Sequence, residues 1–284
     1  MKVIEAVSGL AALGHRQRRG VVFTMGALHA GHAELMRACR ELIGPDSLLL
    51  VTIFVNPTQF NDPRDLERYP RTPDADLAVC EAAGVDVVFM PSVEEMYPPG
   101  VDLPRPGAGA LGGVLEGASR PGHFDGVAQV VHRLISVTEP DVTCFGEKDY
   151  QQLAVVRGMA AASGFDCEIV GVPTVREADG LALSSRNALL SPAARALAPK
   201  LHQSLQLVAA ELRGGASVEA AVAAGRLVIE SEPAFELDYL VVTDSQLNTP
   251  PVLNAGHDWQ GRVLVAARLD GVRLIDNLPV EVLR

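Results

Sequence analysis

Residues 47–55, SLLLVTIFV, are almost wholly apolar, and no other stretch restricts the fold as much. A strand with one wet face alternates apolar and polar residues. A run this continuous reads instead as a strand covered on both faces, the mark of a parallel sheet between layers of helix. Shorter apolar bursts recur at 21–25 (VVFTM), 85–90 (VDVVFM), 141–145 (DVTCF) and 167–170 (CEIV). Helical spacing falls between them: at 30–43, with Leu35, Cys39, Leu42 and Ile43 on one face, at 74–83 ahead of Gly84, at 123–138 and at 148–162. Strands alternating with helices predict a Rossmann-like, doubly wound α/β sheet with right-handed crossovers. Ligands on such sheets bind beyond the carboxyl ends of the strands, where strand order reverses.

The texture changes after Val175. Two Ala- and Leu-rich helical stretches, 191–213 and 217–230, precede strand-like segments at 235–243 and 262–268, and Asp270-Gly271 is a turn signal. The expected organisation is a first domain over 1–174 and a smaller α+β domain over 175–284 that closes over it. A Gly- and Pro-rich segment from Pro98 to Pro121 reads as a long functional loop.

With 35 acidic against 24 basic residues among 284, the chain carries a formal charge of −11. General nucleic-acid binding needs a basic surface and is not expected. An anion would bind only where a local cluster reverses the global sign. The four cysteines, Cys39, Cys80, Cys144 and Cys167, form no CxxC pair, and reduced thiols are the expected state. The opening residues lack the apolar core of a signal peptide, and no apolar run reaches membrane-spanning length. A cytoplasmic protein is expected.

Chemistry-bearing residues collect just after the candidate strands. The first strand runs into Met25-Gly26-Ala27-Leu28-His29-Ala30-Gly31-His32. A strand, a glycine turn and a helix would direct backbone N–H groups and the positive end of the helix dipole at a phosphate. His29 and His32 lie one turn apart on one face, and Gly31 would let a ligand approach. No acidic residue or cysteine in the segment completes a metal set, so phosphate is favoured over metal and no metal ligand is assigned. The second strand ends in Asn56-Pro57-Thr58-Gln59; its two amides suit a hydroxy acid, although ordinary turn chemistry would account for them as well. The fourth ends in Gly146-Glu147-Lys148-Asp149, with Gln152 a helical turn beyond Lys148. Lys148 would neutralise phosphate charge, and Asp149 would meet ribose or magnesium, although the charge ordinary at a helix start would account for them as well. Leu183-Ser184-Ser185-Arg186 combines hydroxyls with a guanidinium, a phosphate grip or a helix cap. Arg120 and His123 close the long loop, where a site, an interface or exposed loop charge would each explain them.

The segments TMGALHAGH, FVNPTQF, RYPRTPDADL, RPGHFDGV, FGEKDYQQL and LSSRN, spanning residues 24–187 in this order, resemble the pantothenate synthetase (pantoate–β-alanine ligase) family. HxGH alone occurs throughout the wider nucleotidyltransferase superfamily; the full series is far more specific. The resemblance implies that pantoate is activated by ATP as pantoyl adenylate and that β-alanine then displaces AMP. It implies an ATP site lined by Met25 to His32, Gly146 to Asp149, Leu183 to Arg186 and the backbone of Val175. His32 would be the proton donor with His29 beside it, and Lys148 and Arg186 the cations. Gln59 and Gln152 would hold pantoate, with Asn56 beside Gln59. Mg²⁺ with ATP and a homodimer are also implied. Phe23 stands where the family usually has proline, and Leu183 where methionine is common; both replacements are apolar.

Two rivals remain at this level. An adenylyltransferase moving AMP to a phosphate acceptor shares the sheet and the HxGH segment, but does not require the Gln59 and Gln152 pair. A nucleotide-binding regulator without catalysis would not need His29, His32, Lys148 and Arg186 intact.

Overall fold

The computed structural model describes residues 1–14, 18–60, 63–250 and 258–283. They form two compact units, Met1–Glu147 with Gln151–Pro173, and Lys148–Tyr150 with Thr174–Arg284. The first holds a six-stranded, all-parallel sheet built from β1 (Lys2–Ile4), β2 (Arg19–Thr24), β3 (Leu48–Ile53), β4 (Val87–Phe89), β5 (Val142–Gly146) and β6 (Glu168–Val172). Their order is β1-β4-β3-β2-β5-β6. The order reverses between β2 and β5, so the exits of these two strands flank the crevice where such sheets take ligands.

The continuous apolar run is β3, with Leu49, Leu50 and Val51 fully buried. The edge strand β1 has no counterpart among the sequence-derived strands; three residues are too few to show a period. The helix Ala30–Ile43 buries Met36, Cys39 and Ile43, while Leu42 stays 40% exposed and Leu35 only packs alongside. The face is thus turned by about one residue from the expected one. Spacings of three and four allow both phases, and only the sheet beneath selects between them. His123–Thr138 lies over the 3₁₀ turn Pro57–Gln59, with no room between them. A Cβ on Gly126 would fall 2.5 Å from the Thr58 carbonyl oxygen.

The long loop is tethered rather than loose. Gln151, 2% exposed, donates to the carbonyls of Leu111 and Val114 and accepts from the N–H of Glu116. One buried amide thereby bonds three main-chain groups of the loop.

The second unit packs helices Lys200–Arg213 and Val218–Glu230 on an antiparallel sheet of β7 (Phe235–Asp244), β8 (Trp259–Leu269) and β9 (Val272–Val282). The stretch expected as one helix over 191–213 is two, Pro192–Leu197 and Lys200–Arg213. Pro199 lacks the N–H that would carry the helix through. Ser191 caps the first, accepting from the N–H of Ala194 at 3.3 Å. Asp270 and Gly271, both at positive φ, make the two-residue turn between β8 and β9. Among the described residues no helix is long and apolar enough to cross a membrane.

Candidate functional site

Thr24 ends β2, and the chain turns at Gly26 and Ala27, both at positive φ (83° and 51°). An alanine in the left-handed region costs about 1–2 kcal/mol, so the turn needs support. Asp76 supplies it from the helix Pro73–Ala82. Buried to 2% exposure, its carboxylate accepts from the N–H of Ala27 (3.1 Å), the N–H of Leu28 (2.8 Å) and the Thr72 hydroxyl (3.1 Å). Sequence reading missed this residue. An acid in the first turn of a helix ordinarily answers that helix's own dipole, and nothing local shows that it reaches 49 positions back.

The turn leads into the helix carrying both histidines. His29 Nδ1 accepts from the N–H of Gly31 (3.1 Å), and His32 Nδ1 accepts from the N–H of His29 (3.2 Å). A ring nitrogen that accepts from an amide carries no proton, so each neutral ring is held as the Nε2–H tautomer, a hydrogen-bond donor at its outer nitrogen. The ring centroids are 4.2 Å apart. This corrects the expected phosphate geometry. From Gly26 to His32 the main-chain N–H groups are taken up within the protein, by Thr24, Asp76, His32, His29 or the helix itself, and only that of Ala30 has no partner among the described residues. Most amides of this helix start are therefore engaged within the protein, while each imidazole has its outer nitrogen as the donor. At Gly31 a Cβ would lie 2.9 Å from His29 Cε1, so the absent side chain makes room for that ring.

Beyond β3, Gln59 is 8% exposed. Its Nε2 lies 3.0 Å from the Met25 sulfur, joining the exits of β2 and β3. Asn56, 1% exposed, has its amide committed behind Gln59. It donates to Gln59 Oε1 and the Gly126 carbonyl, and it accepts from Thr58 and from the Tyr97 hydroxyl. Burial raises the Tyr97 hydroxyl above its ordinary pKa, which keeps it a donor. His123, at the end of the long loop, is only 6% exposed and so is not exposed loop charge. Its Nε2 lies 3.0 Å from Arg120, which only donates, so Nδ1–H donates to the Gln59 carbonyl at 3.0 Å. Gln152 is half-buried on the first turn of the helix Tyr150–Ala162. Lys148 lies in the 3₁₀ turn Glu147–Asp149 ahead of that helix, not on its first turn.

In the second unit, Lys148, Ser184, Arg186, Asn187 and Asp276 line one cleft. Ser184 Oγ accepts from the N–H of Arg186 at 3.2 Å, capping the 3₁₀ turn Ser185–Leu189 beside the cleft and leaving its hydroxyl proton to donate elsewhere. The Arg186 guanidinium pairs with no carboxylate among the described residues, and Lys148 Nζ is 3.9 Å from Asp149. Val175 gives its carbonyl to the N–H of Leu183 at 2.9 Å. In the first unit, Phe23 sits against Phe145, ring centroids 5.9 Å apart. Burial pushes the Cys80 and Cys167 thiols up to about 11 and about 12, far from the thiolate a nucleophile needs.

A parallel sheet whose switch strand opens into a His-x-Gly-His helix, with its imidazoles fixed as donors, is the frame of an α/β enzyme. The profile of one family, described as Pantoate-beta-alanine ligase, matches residues 2–279. The chain belongs to that family. It is 52% identical to the pantothenate synthetase of Salinispora arenicola over 92% of this chain and 90% of the relative. The crystal structure of pantothenate synthetase from Thermus thermophilus superposes with a TM-score of 0.89 at 45% identity, covering 98% of this chain and 99% of the other. That of the pantoate–β-alanine ligase from Francisella tularensis, complexed with beta-gamma ATP and beta-alanine, gives 0.77 at 31% identity over 98% and 97%.

Proposed function

We propose that the chain ligates pantoate and β-alanine at the expense of ATP. A pantoate carboxylate oxygen bonds to the α-phosphorus as the bond to pyrophosphate breaks. The β-alanine amine then attacks the acyl carbon of pantoyl adenylate, loses a proton and expels AMP, leaving pantothenate. The observation that carries the reading is the pair of Nε2–H imidazoles at the exit of β2 beside Gln59 at the exit of β3. Donors fixed in advance stabilise charge as it builds on a departing pyrophosphate without reorganising.

In this reading His29 and His32 meet the phosphates, with His32 the proton donor, while Lys148 and Arg186 neutralise the triphosphate. Gln59 and Gln152 hold pantoate, and Asn56 serves that site through Gln59. Met25 to His32, Gly146 to Asp149 and Leu183 to Arg186 line ATP. The Val175 N–H, the backbone group left after its carbonyl bonds Leu183, meets the adenine. Mg²⁺ enters with the triphosphate as part of the substrate. Residues 1–174 bind ATP and pantoate, and 175–284 serve as the closing part that keeps water from the adenylate. The family resemblance supports a cytoplasmic homodimer, which sedimentation of the purified chain tests.

The deciding assay follows AMP and pyrophosphate separately. Pantoate with ATP alone should release pyrophosphate once per site, and multiple turnover to AMP should require β-alanine. Sustained turnover without β-alanine, with AMP appearing on a phosphate acceptor, would establish the adenylyltransferase instead.

A further inference from the structure

Lys148, Asp149 and Tyr150 follow β5 in sequence but pack with the second unit, and the small antiparallel sheet holds them through a buried polar relay. Asn277 on β9 is 3% exposed, and its Nδ2 donates to the Lys148 carbonyl at 2.9 Å. Its Oδ1 accepts from Arg262 on β8. The amide orientation is forced: a guanidinium only donates and a carbonyl only accepts, so Oδ1 must face Arg262 and the NH₂ must face Lys148. Arg262, 7% exposed, also stacks over the Tyr150 ring, its guanidinium carbon 3.7 Å from the centroid, and the Tyr150 hydroxyl donates to the Ser245 carbonyl at 2.8 Å. The neighbour Asp276 accepts from the N–H of Asn277 (2.7 Å) and pairs with both terminal nitrogens of Arg176 (2.6 and 2.9 Å), fixing this point of β9 from behind. Asp276 and Lys148 line the same cleft.

Buried, charge-assisted hydrogen bonds are expensive to leave half-made, so this relay holds the main chain at Lys148 in one place. That matters because a lysine side chain is long and flexible. With its Cα anchored, its ammonium samples a smaller volume. We propose that Asn277 is a positioning residue for Lys148: by donating to the Lys148 carbonyl, and by being oriented itself through Arg262, it sets where the ammonium meets the triphosphate. The proposal rests on the reading of Lys148 as the cation that neutralises ATP.

The test is a double-mutant cycle on the full chain, with pyrophosphate release followed under single turnover at varied ATP and pantoate. Asn277→Asp retains an acceptor for Arg262 but replaces the donor to Lys148 with a charged acceptor; Asn277→Ala removes the donor without adding charge, in case the aspartate variant fails to fold. Either should lower kcat/KM for ATP by about 10-fold or more, since small displacements of a charge-stabilising group are costly, and leave KM for pantoate unchanged. In a Lys148→Ala background the same change should add almost nothing. A kcat/KM for ATP equal to that of the parent chain in both Asn277 variants would overturn the proposal, as would an undiminished further loss in the Lys148→Ala background. A Lys148→Ala chain that turns over at the full rate would instead remove the reading of Lys148 itself, and the two failures stay distinct.

Discussion

His32 Nδ1 accepts the backbone N–H of His29 at 3.2 Å, so one imidazole caps the helix start and commits its other nitrogen to donation. His32→Ala should therefore have two separable effects. Pyrophosphate release should fall on the order of 10²–10³-fold with the loss of a fixed donor. Loss of the cap should cost about 1 kcal/mol, seen as a modest drop in melting temperature. His32→Gln can accept from the same N–H, as in a capping box. It should recover most of the stability and little of the rate. Equal recovery of both in a melt and a rate assay would show that the cap, not donation, is what His32 supplies.

Asp76→Asn leaves a single acceptor oxygen where Ala27, Leu28 and Thr72 all donate. Hydrogen bonds to a charged group are worth about 1.5–3 kcal/mol each. The turn it holds contains an alanine at positive φ and leads straight into both histidines. The variant should melt several degrees lower and lose most of its pyrophosphate release even at saturating substrates, because the imidazoles lose their fixed origin. Unchanged turnover in a chain that melts lower would restrict Asp76 to stability.

Much of this was legible in the residues, and the rest was hidden for identifiable reasons. The run at 47–55 marked a strand buried on both faces, and the helices 30–43 and 123–138 have the bounds their spacing suggests, although the first buries a slightly turned face. β9 did not show itself. Its core-facing positions include the charged Asp276, Asn277 is buried on the opposite face, and Pro279 interrupts what remains of the alternation. Of the residues that disguise the strand, Asn277 is the one that bonds the turn at Lys148, a long-range pairing that strand alternation cannot signal. Asp76 and His123 act across long gaps in sequence, 49 and 64 positions, and no local periodicity encodes such a pairing. The amides at the first helix start looked available for phosphate, because a sequence shows where N–H groups occur but not which side chains reach them first.

Gly126→Ala tests whether Gln59 depends on the close fit of the helix behind it. The added Cβ would meet the Thr58 carbonyl oxygen at 2.5 Å and the Gln59 Cα at 2.8 Å. These are main-chain atoms with no rotamer to yield, so the 3₁₀ turn must shift. Overpacking of this kind costs about 1–3 kcal/mol. KM for pantoate should rise while KM for ATP holds, separating the Gln59 end of the site from the phosphate end. A matching rise in both would mean that the damage is global.

His202 gives the second unit a defined sensitivity to acid. Burial lowers its pKa below the ordinary value, the Arg176 guanidinium lowers it further, and Asp276, 3.8 Å away, opposes them in part. The folded state therefore holds a neutral ring where the unfolded chain takes up a proton. By linkage, stability rises with pH wherever the unfolded state binds more protons. The contribution of His202 is unaffected above the unfolded value of about 6.5, and it is eroded as pH falls from there toward the lower folded pKa. Buried carboxylates add their own losses at lower pH, so the measurement is a difference of differences. Melting temperatures of the parent chain and of His202→Asn, neutral throughout, are compared at about pH 7.5 and about pH 5.5, on either side of the unfolded value. The drop on acidification should be smaller in the variant. An identical drop in both would mean that His202 takes its proton as readily folded as unfolded, and that its burial carries no penalty.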